Sequence, residues 1–412
     1  MIMQDNEKKP ALRFKGFTDP WEQRKLSDIV EKVTEKNAGW QYIETFTNSA
    51  EFGIISQRDF FDHDISKIGS LDGYYVVHNE DFVYNPRISV TAPVGPINRN
   101  KLGRTGVMSP LYTVFRPHDI DTTYLEHFFK SEYWHSFMNF NGDSGARSDR
   151  FSIKDSVFFE MPIPTPDIEE QKKIGEFLTL LDTLITLHQR KYEKLVNIKK
   201  SMLDKMFPKN GASVPEIRFK GFTDPWEQRK LGEIAKEVVR NDPASDAPIM
   251  MITAGNGFIE QSDRYAFNNA GESLKKYILL ERGELAYNHG ASKLRPYGSC
   301  FALTTVEKAR IPFVYHCFSV EKSNPEFLSI ELNGANVENQ LRKIVSSGAR
   351  MDGLLNIAYS EYTEVTVQLP KKEEQDWIAK FFKHLDTLIT LHQRKLEKLQ
   401  NIKKSCLEKM FV

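Results

Sequence analysis

Two long stretches of the chain carry the apolar pattern of an amphipathic helix. Between residues 168 and 207, apolar side chains recur at spacings of three and four, and charged side chains fall mostly between them. The same pattern returns at about residues 372–411, directly after Pro370. About 40 residues at 1.5 Å per residue predict helices of roughly 60 Å. One compact domain cannot cover so long a stripe, so we predict that the two helices pack against each other, antiparallel.

The apolar stripes predict the residues of this helix pair and of a surface for docking partners. We interpret His188 and His392, which lie on or beside the stripes, as polar contacts that set the register rather than as metal ligands. The predicted helix-pair and docking residues are Ile174, Phe177, Leu181, Leu184, Ile185, His188, Leu195, Ile198, Ile378, Leu385, Leu388, Ile389, His392, Leu399 and Ile402.

The sequence contains an internal duplication. Residues 13–26 recur unchanged as residues 218–231, and residues 181–191 recur as residues 385–395. Between these blocks the halves diverge, but landmarks persist at an offset of 203, including the Tyr-Asn pairs that end in Asn85 and Asn288. A period near 200 residues is too long for a solenoid, so the chain contains a duplicated domain-plus-helix unit.

The expected organisation is an α+β fold. Two similar mixed α/β domains are separated by a pair of long antiparallel coiled-coil helices, with pseudo-twofold symmetry. Short β-rich runs alternate with turns in both domains, and residues 124–140 predict one short helix in the first. The predicted segments are a first domain (1–167), a long helix (168–208), a linker (209–217), a second domain (218–370) and a second long helix (371–412).

Composition and charge add little to this picture. Apolar residues make up 40% and charged residues 27%, which is ordinary for a globular protein. The 56 basic and 56 acidic side chains cancel, which counts mildly against a simple nucleic-acid binder. We find no signal-peptide pattern, no run long enough to span a bilayer, and no metal or disulfide spacing among the three cysteines. We therefore expect a cytoplasmic protein with no membrane partner.

Local charge points to DNA despite the neutral total. Residues 82–118 contain no acid, and residues 285–320 contain only Glu307, at equivalent positions of the repeat. Binding to phosphates needs locally unopposed positive charge. The alternatives are a solvated loop that happens to lack acids and, for the repeated Ser-Gly-Ala-Arg motif ending at Arg147 and Arg350, a plain turn. The predicted DNA-binding residues are Asn85, Arg87, Asn98, Arg99, Lys101, Arg104, Arg147, His289, Ser292, Lys293, Arg295 and Arg350.

No residue pattern predicts catalysis or a metal site. Asn85-Pro86-Arg87 lacks the second proline and the aromatic residue of an adenine-methyltransferase motif, and no phosphate-binding glycine loop with its lysine occurs. Trp21 and Trp226, which begin the repeated Trp-Glu-Gln-Arg-Lys-Leu segment, are predicted to pack in the cores rather than to stack on bases.

The order of these motifs, repeated twice, resembles the specificity subunits of type I restriction–modification systems. The matching motifs are residues 21–26, 144–147, 162–164, 170–171 and 181–182, with their counterparts in the second half. The resemblance implies a non-catalytic subunit whose domains are target-recognition domains. Each would read one half of a bipartite site in double-stranded DNA, and the helices would fix the spacer and dock two modification subunits.

The resemblance also implies where the chemistry takes place. No cofactor is expected in this chain. S-adenosylmethionine is expected in the modification subunits, and ATP and Mg²⁺ in the restriction and translocase subunits. Two alternatives remain open at this point, namely a coiled-coil scaffold that binds no DNA and a self-sufficient methyltransferase.

Overall fold

One strand topology occurs twice along the chain. In the computed structural model, which describes residues 9–61, 68–143, 149–209, 211–264, 271–345 and 355–411, two compact units are found. The first comprises residues 1–190 and 393–412, and the second comprises residues 191–392. Each unit has a four-stranded antiparallel sheet and three two-stranded antiparallel ribbons, in the same sequence order. The duplication predicted from the sequence is therefore a duplication of fold.

The first unit contains ten strands and the first five helices of the described residues. The strands are β1 (Glu22–Lys25), β2 (Val30–Lys32), β3 (Phe46–Ser49), β4 (Gly53–Ser56), β5 (Tyr75–Val77), β6 (Phe82–Tyr84), β7 (Ile97–Arg99), β8 (Gly106–Met108), β9 (Thr113–Pro117) and β10 (Pro162–Thr165). The helices are α1 (Gln57–Phe61), α2 (Thr122–Lys130), α3 (His135–Asn141), α4 (Asp155–Phe158) and α5 (Ile168–Lys205), of which α5 continues into the second unit.

The second unit repeats this series. Its strands are β11 (Glu227–Lys230), β12 (Ala235–Glu237), β13 (Met250–Thr253), β14 (Gly257–Glu260), β15 (Ile278–Glu281), β16 (Leu285–Asn288), β17 (Ser299–Ala302), β18 (Lys308–Ile311), β19 (His316–Val320) and β20 (Thr366–Leu369). Its helices are α6 (Pro325–Leu332), α7 (Ala335–Ile344), α8 (Tyr359–Tyr362) and α9 (Lys372–Lys409), and the end of α9 belongs to the first unit.

The four-stranded sheets are covered on both faces. In the first unit the order is β2-β9-β6-β7, and successive side chains point to opposite faces. Phe82, Tyr84 and Phe115 therefore join the core that contains α2 and α5, whereas Val83 and Val114 join a second core with β3, β5 and β8. The second unit, with order β12-β19-β16-β17, places Leu285, Tyr287 and Phe318 on one face and Ala286 and Cys317 on the other.

The long helices pack against each other antiparallel within each unit. In the second unit, Lys199 forms an ion pair with Asp386, and Phe207, just beyond α5, packs on Phe382 with ring centroids 6.2 Å apart. Residue numbers therefore rise along α5 as they fall along α9. In the first unit, Lys403 of α9 pairs with Asp182 of α5, and Cys406, Met410 and Phe411 share one core with Ile174, Leu178 and Leu181.

The single helix predicted for residues 124–140 was wrong. The structure has two helices there, α2 and α3. Asp121 caps the start of α2 by accepting a hydrogen bond from the Tyr124 backbone N–H at 2.8 Å. At its end Ser131 leaves the helical conformation, with φ −81° and ψ 166°, and its hydroxyl donates to the Phe128 carbonyl at 2.6 Å. This side-chain bond competes with the backbone hydrogen bonds of the helix and ends α2.

Candidate nucleic-acid interface

Arg99 is enclosed within the first domain rather than presented to solvent. Its guanidinium and the Glu126 carboxylate, each 8% exposed, are 2.6 Å apart, and Glu80 approaches the same guanidinium at 3.1 Å. Burial opposes ionisation of Glu126, but Lys130, Arg99 and Lys101 outweigh burial and lower the pKa of Glu126 to about 2. Glu126 therefore neutralises Arg99 throughout the physiological pH range. The charge of Arg99 is therefore balanced within the domain, and its contact with DNA stays a prediction.

Three other cations of the acid-poor window are neutralised by carboxylates from outside it. Lys101 Nζ lies 3.2 Å from Glu126 Oε1. Arg104 binds both oxygens of Glu44 at 2.7 Å, and Arg116 Nε donates to Asp81 Oδ1 at 2.8 Å. The absence of acids from a sequence window therefore did not mean unopposed charge, because the fold brings carboxylates to it from elsewhere in the chain.

Arg87 retains an exposed charge. Within the part of the chain that the structure describes, no carboxylate forms an ion pair with it. Its backbone is bridged to Arg150, which places two arginines side by side on the surface of the first domain. A cleft of about 450 Å³ lies beside them and is lined by Arg150, Tyr84, Tyr112 and Phe151, among others. Arg87 is thus a predicted cation that remains exposed and without an ion pair to any described carboxylate, as contact with a phosphate requires.

Asn85 and Asn98 hold the fold together. The Asn85 side chain donates to the Asn48 carbonyl at 2.8 Å and accepts from the Arg87 N–H at 2.9 Å. Asn98 donates to the Asn48 side chain at 2.7 Å and to the Ser49 carbonyl at 3.1 Å. Both amides tie β3 to the central sheet, so direct base contact by either would require these bonds to break.

In the second domain, two of the predicted DNA-binding residues bond within the fold, His289 being buried and Arg295 half-buried. His289 is 9% exposed, and its Nδ1 lies 2.9 Å from the Leu355 carbonyl oxygen. Arg295 donates to the Asn333 carbonyl at 2.6 Å, and burial lowers the pKa of its guanidinium. Since Asn333 ends α6, Arg295 caps that helix end rather than extending towards a ligand. Contact of either residue with DNA would require these internal bonds to break, and both DNA-binding roles stay predictions.

Ser292 and Lys293 lie at the exposed end of a loop. Ser292 accepts a hydrogen bond from the Arg295 backbone N–H at 3.0 Å through its hydroxyl, which closes a tight turn. Lys293 lies at the tip of that turn and, among the described residues, has no ion-pair partner. Arg147 and Arg350, with the Ser-Gly-Ala-Arg motif, lie outside the described residues.

The loop that carries Ser292 and Lys293 has a structural counterpart that the sequence interpretation missed. Residues 89–92 form the same kind of turn, in which Ser89 and Ala92 exchange backbone hydrogen bonds of 3.0 and 3.2 Å. The offset between the turns is 203, the offset of the Tyr-Asn landmarks. That constant offset was the signal that could have identified residues 89–92.

The predicted helix-pair residues differ in burial. Ile174, Leu181, Ile378, Leu385 and His392 are buried, and Phe177, Leu195, Ile198 and Leu399 are partly buried against the cores. Leu184, Ile185, His188, Leu388 and Ile389 are half-buried. Ile402 is 36% exposed. The sequence-based set omitted Leu178 and Phe382, which are 0% and 1% exposed.

The described residues offer no cluster of three or more histidine, cysteine, aspartate or glutamate side chains arranged to hold a metal ion. No helix within those same residues has the length and apolar character needed to cross a lipid bilayer. Trp21 and Trp226 are 2% and 4% exposed and belong to the two main cores, which confirms their predicted packing role.

Comparisons with known proteins agree with the duplicated fold. Residues 18–197 match the family model described as "Type I restriction modification DNA specificity domain". The MjaVIII type I restriction enzyme specificity subunit of Methanocaldococcus jannaschii is 25% identical over 284 residues, which are 61% of this chain and 61% of that protein. The EcoKI specificity subunit of Escherichia coli K12 is 22% identical over 323 residues, covering 74% of this chain and 67% of that protein.

A solved structure extends the likeness of fold to nearly the whole chain. The S subunit of a type I restriction–modification system from M. genitalium matches with a TM-score of 0.58 at 13% identity, covering 98% of this chain and 99% of that one. The M. jannaschii alignment leaves more than a third of that relative unmatched. At this identity the structural match establishes a shared architecture, in which two mixed domains are associated with paired long helices.

Proposed function

Because residues 18–197 match a DNA specificity domain model and relatives named as type I specificity subunits align with the chain, we propose that it is a specificity subunit that reads a bipartite sequence in double-stranded DNA. In this proposal it has no catalytic centre and directs the chemistry of other subunits. The observation that carries the proposal is the repeated topology, because two domains with one fold and different surfaces provide two readers in one chain. Each domain would read one half-site, in the cytoplasm where the chromosome lies.

The long helices support a proposal about partners. Leu187 of α5 and Leu391 of α9 occupy equivalent positions in the identical 11-residue blocks and are 58% and 43% exposed. Large apolar side chains exposed at equivalent positions suit two copies of one partner. We therefore expect two modification subunits to dock here, with S-adenosylmethionine bound in them, and restriction and translocase subunits to supply ATP- and Mg²⁺-dependent steps.

Sequencing of DNA methylation in the source cell tests the function directly. We expect one bipartite motif with adenine methylation that disappears when the gene for this chain is deleted and returns on complementation. An unchanged methylation pattern would favour the scaffold alternative, which predicts neither a split-site preference nor strong dependence of DNA binding on salt. The family of DNA specificity domains that residues 18–197 match does not favour that alternative.

A second experiment separates this proposal from a self-sufficient methyltransferase. The purified full chain is incubated with DNA and labelled S-adenosylmethionine, with and without its modification subunits. We expect label in DNA only when the modification subunits are present. Label transferred by the chain alone would refute the proposal.

A further inference from the structure

Each domain presents one loop with a shared backbone frame and a different tip. The loops follow equivalent strands, residues 85–96 between β6 and β7 and residues 289–298 between β16 and β17. Their central segments read Arg-Ile-Ser-Val-Thr-Ala-Pro from Arg87 and Gly-Ala-Ser-Lys-Leu-Arg-Pro from Gly290. The contacts that hold the loops are the same in both domains, whereas the side chains they carry differ.

A buried tyrosine fixes the returning arm of each loop. The Tyr84 hydroxyl donates to the Val94 carbonyl at 3.0 Å, and the Tyr287 hydroxyl donates to the Tyr297 carbonyl at 2.6 Å. Both tyrosines lie on the central sheet and are almost fully buried, at 3% and 1% exposure. Because the donor is held by the core, the arm it binds has a defined position.

A glycine at the base of each loop allows the two arms to approach closely. Gly95 and Gly298 have φ values of +84° and +81°, which favour glycine. A Cβ at these positions would lie 2.2 Å from the Asn85 carbonyl oxygen and 2.6 Å from that of Asn288. No other residue fits this base without a shift of backbone.

The asparagine of each Tyr-Asn landmark joins the loop to a neighbouring strand. The Asn85 amide donates to the Asn48 carbonyl at 2.8 Å, and the Asn288 amide donates to the Ile252 carbonyl at 3.1 Å. Each side-chain oxygen accepts the backbone N–H two residues later at 2.9 Å. The loops are therefore braced at both ends by hydrogen bonds, all but one of them at least half-buried. The Tyr-Asn landmark that survives between the diverged halves is part of this brace.

The tips are exposed and chemically different. The first tip is Val90-Thr91, with the Val90 side chain fully exposed, and the second is Lys293-Leu294, with Leu294 65% exposed. The serine four residues after each of these asparagines, Ser89 or Ser292, closes the turn. A rigid frame under a variable tip is the arrangement expected of a loop that recognises DNA sequence. Because the frame already holds the loop in place, binding costs less conformational entropy.

We propose that these two tips are specificity-determining elements that read base edges in the DNA groove. This inference rests on the proposed function. Val90 and the Thr91 methyl group suit the C5-methyl group of thymine, and Lys293 suits the O6 and N7 acceptors of guanine in the major groove. The first half-site should therefore contain an A·T pair, and the second a G·C pair, that depends on the respective tip.

An exchange of tips tests the inference in the full chain bound to its modification subunits. Val90→Lys with Thr91→Leu gives the first loop the second tip, and Lys293→Val with Leu294→Thr does the reverse. Base preferences are measured by selection from duplexes randomised at both half-sites. The matched control is Ile43→Lys, which places a lysine at another apolar position of the first domain that is 72% exposed.

We expect each exchange to change the preference by about 10-fold or more at one or two base pairs of its own half-site. The other half-site should be unchanged, and the control should select the wild-type motif. Selection of the wild-type motif by both exchanged chains would overturn the inference but leave the proposed function intact. A wild-type chain that selects no bipartite motif would overturn the proposed function itself.

Two further measurements separate base reading from effects on folding or assembly. Thermal unfolding should be unchanged, because the exchanged side chains are on exposed tips, and Val90→Ala provides a smaller change that removes only the apolar contact. Size-exclusion chromatography reports assembly with the modification subunits. Loss of assembly with unaltered base preference would show that the tips bind protein, which would refute the inference.

Discussion

The repeat contains a built-in control for one buried hydrogen bond. Trp21 and Trp226 occupy the same position in the identical segments, and both are buried in a core. The Trp21 indole N–H donates to Glu170 Oε2 at 3.1 Å. The Trp226 indole N–H has no acceptor among the described residues. Substitution of each tryptophan by phenylalanine removes the same atoms from two similar environments.

The two substitutions should differ in the free energy of unfolding. Both lose the contacts of the larger ring, and this cost is similar in the two cores. Trp21→Phe also loses a hydrogen bond to a carboxylate, which contributes about 1.5–3 kcal/mol. Glu170 keeps two bonds from Arg13, at 2.7 and 2.8 Å, so the carboxylate stays paired. We therefore expect Trp21→Phe to cost about 1.5–2 kcal/mol more than Trp226→Phe, the lower part of that range.

Urea unfolding followed by far-UV circular dichroism measures this difference without relying on tryptophan fluorescence. Hydrogen exchange with mass spectrometry then assigns each loss to peptides of the first or the second unit. Combining Trp21→Phe with Glu170→Gln should produce a loss smaller than the sum of the single losses, because the two residues share one bond. Equal losses for the two tryptophans would refute the reasoning, and so would a larger loss for Trp226→Phe.

Three further changes have expected outcomes. Arg87→Ala should weaken DNA binding and reduce the slope of log affinity against log salt concentration by about 0.9. Arg104→Ala is the control in the same salt titration. It removes a cation that is already paired, so the slope should be nearly unchanged. Leu385→Asp should destabilise the second unit by several kcal/mol in urea unfolding, because it buries an unpaired charge. Leu391→Asp should leave urea unfolding unchanged and reduce the number of modification subunits bound, as measured by native mass spectrometry. Burial raises the pKa of Glu331 to about 7, so the wild-type chain should lose stability as the pH rises from about 4.5 to 7. Glu331→Gln should flatten this pH dependence. Equal urea midpoints for the wild-type chain at pH 5 and pH 8 would contradict the prediction.

The long helices and the duplication could be predicted because their signals are local or exact. The apolar stripe of α5 has the period of a helix, and identical blocks such as residues 181–191 and 385–395 need no structural knowledge to recognise. The helix boundaries, Ile168–Lys205 and Lys372–Lys409, lie within a few residues of the predicted ones. Burial along the stripes was less predictable, because Leu178 and Phe382 are covered by the mixed domains as well as by the partner helix.

The candidate site was harder to predict because it depends on tertiary contacts. Arg99 and Glu126 are 27 residues apart in sequence, yet they form one buried pair. The acid-poor window therefore did not reveal which of its cations are paired with carboxylates from elsewhere in the chain. Gly95 and Gly298 were visible in the sequence at the offset of 203, but only the positive φ values and close carbonyl oxygens show why a glycine is required.

The first unit is discontinuous in sequence, whereas the second is one segment, residues 191–392. During synthesis the core around Ile174 and Leu178 stays incomplete until Met410 and Phe411 leave the ribosome. At 5–20 residues per second, the intervening segment of about 200 residues takes roughly 10–40 s to translate. The second unit can thus fold while the core of the first unit still lacks the end of α9. A chain released early would expose that apolar surface to chaperones and proteases.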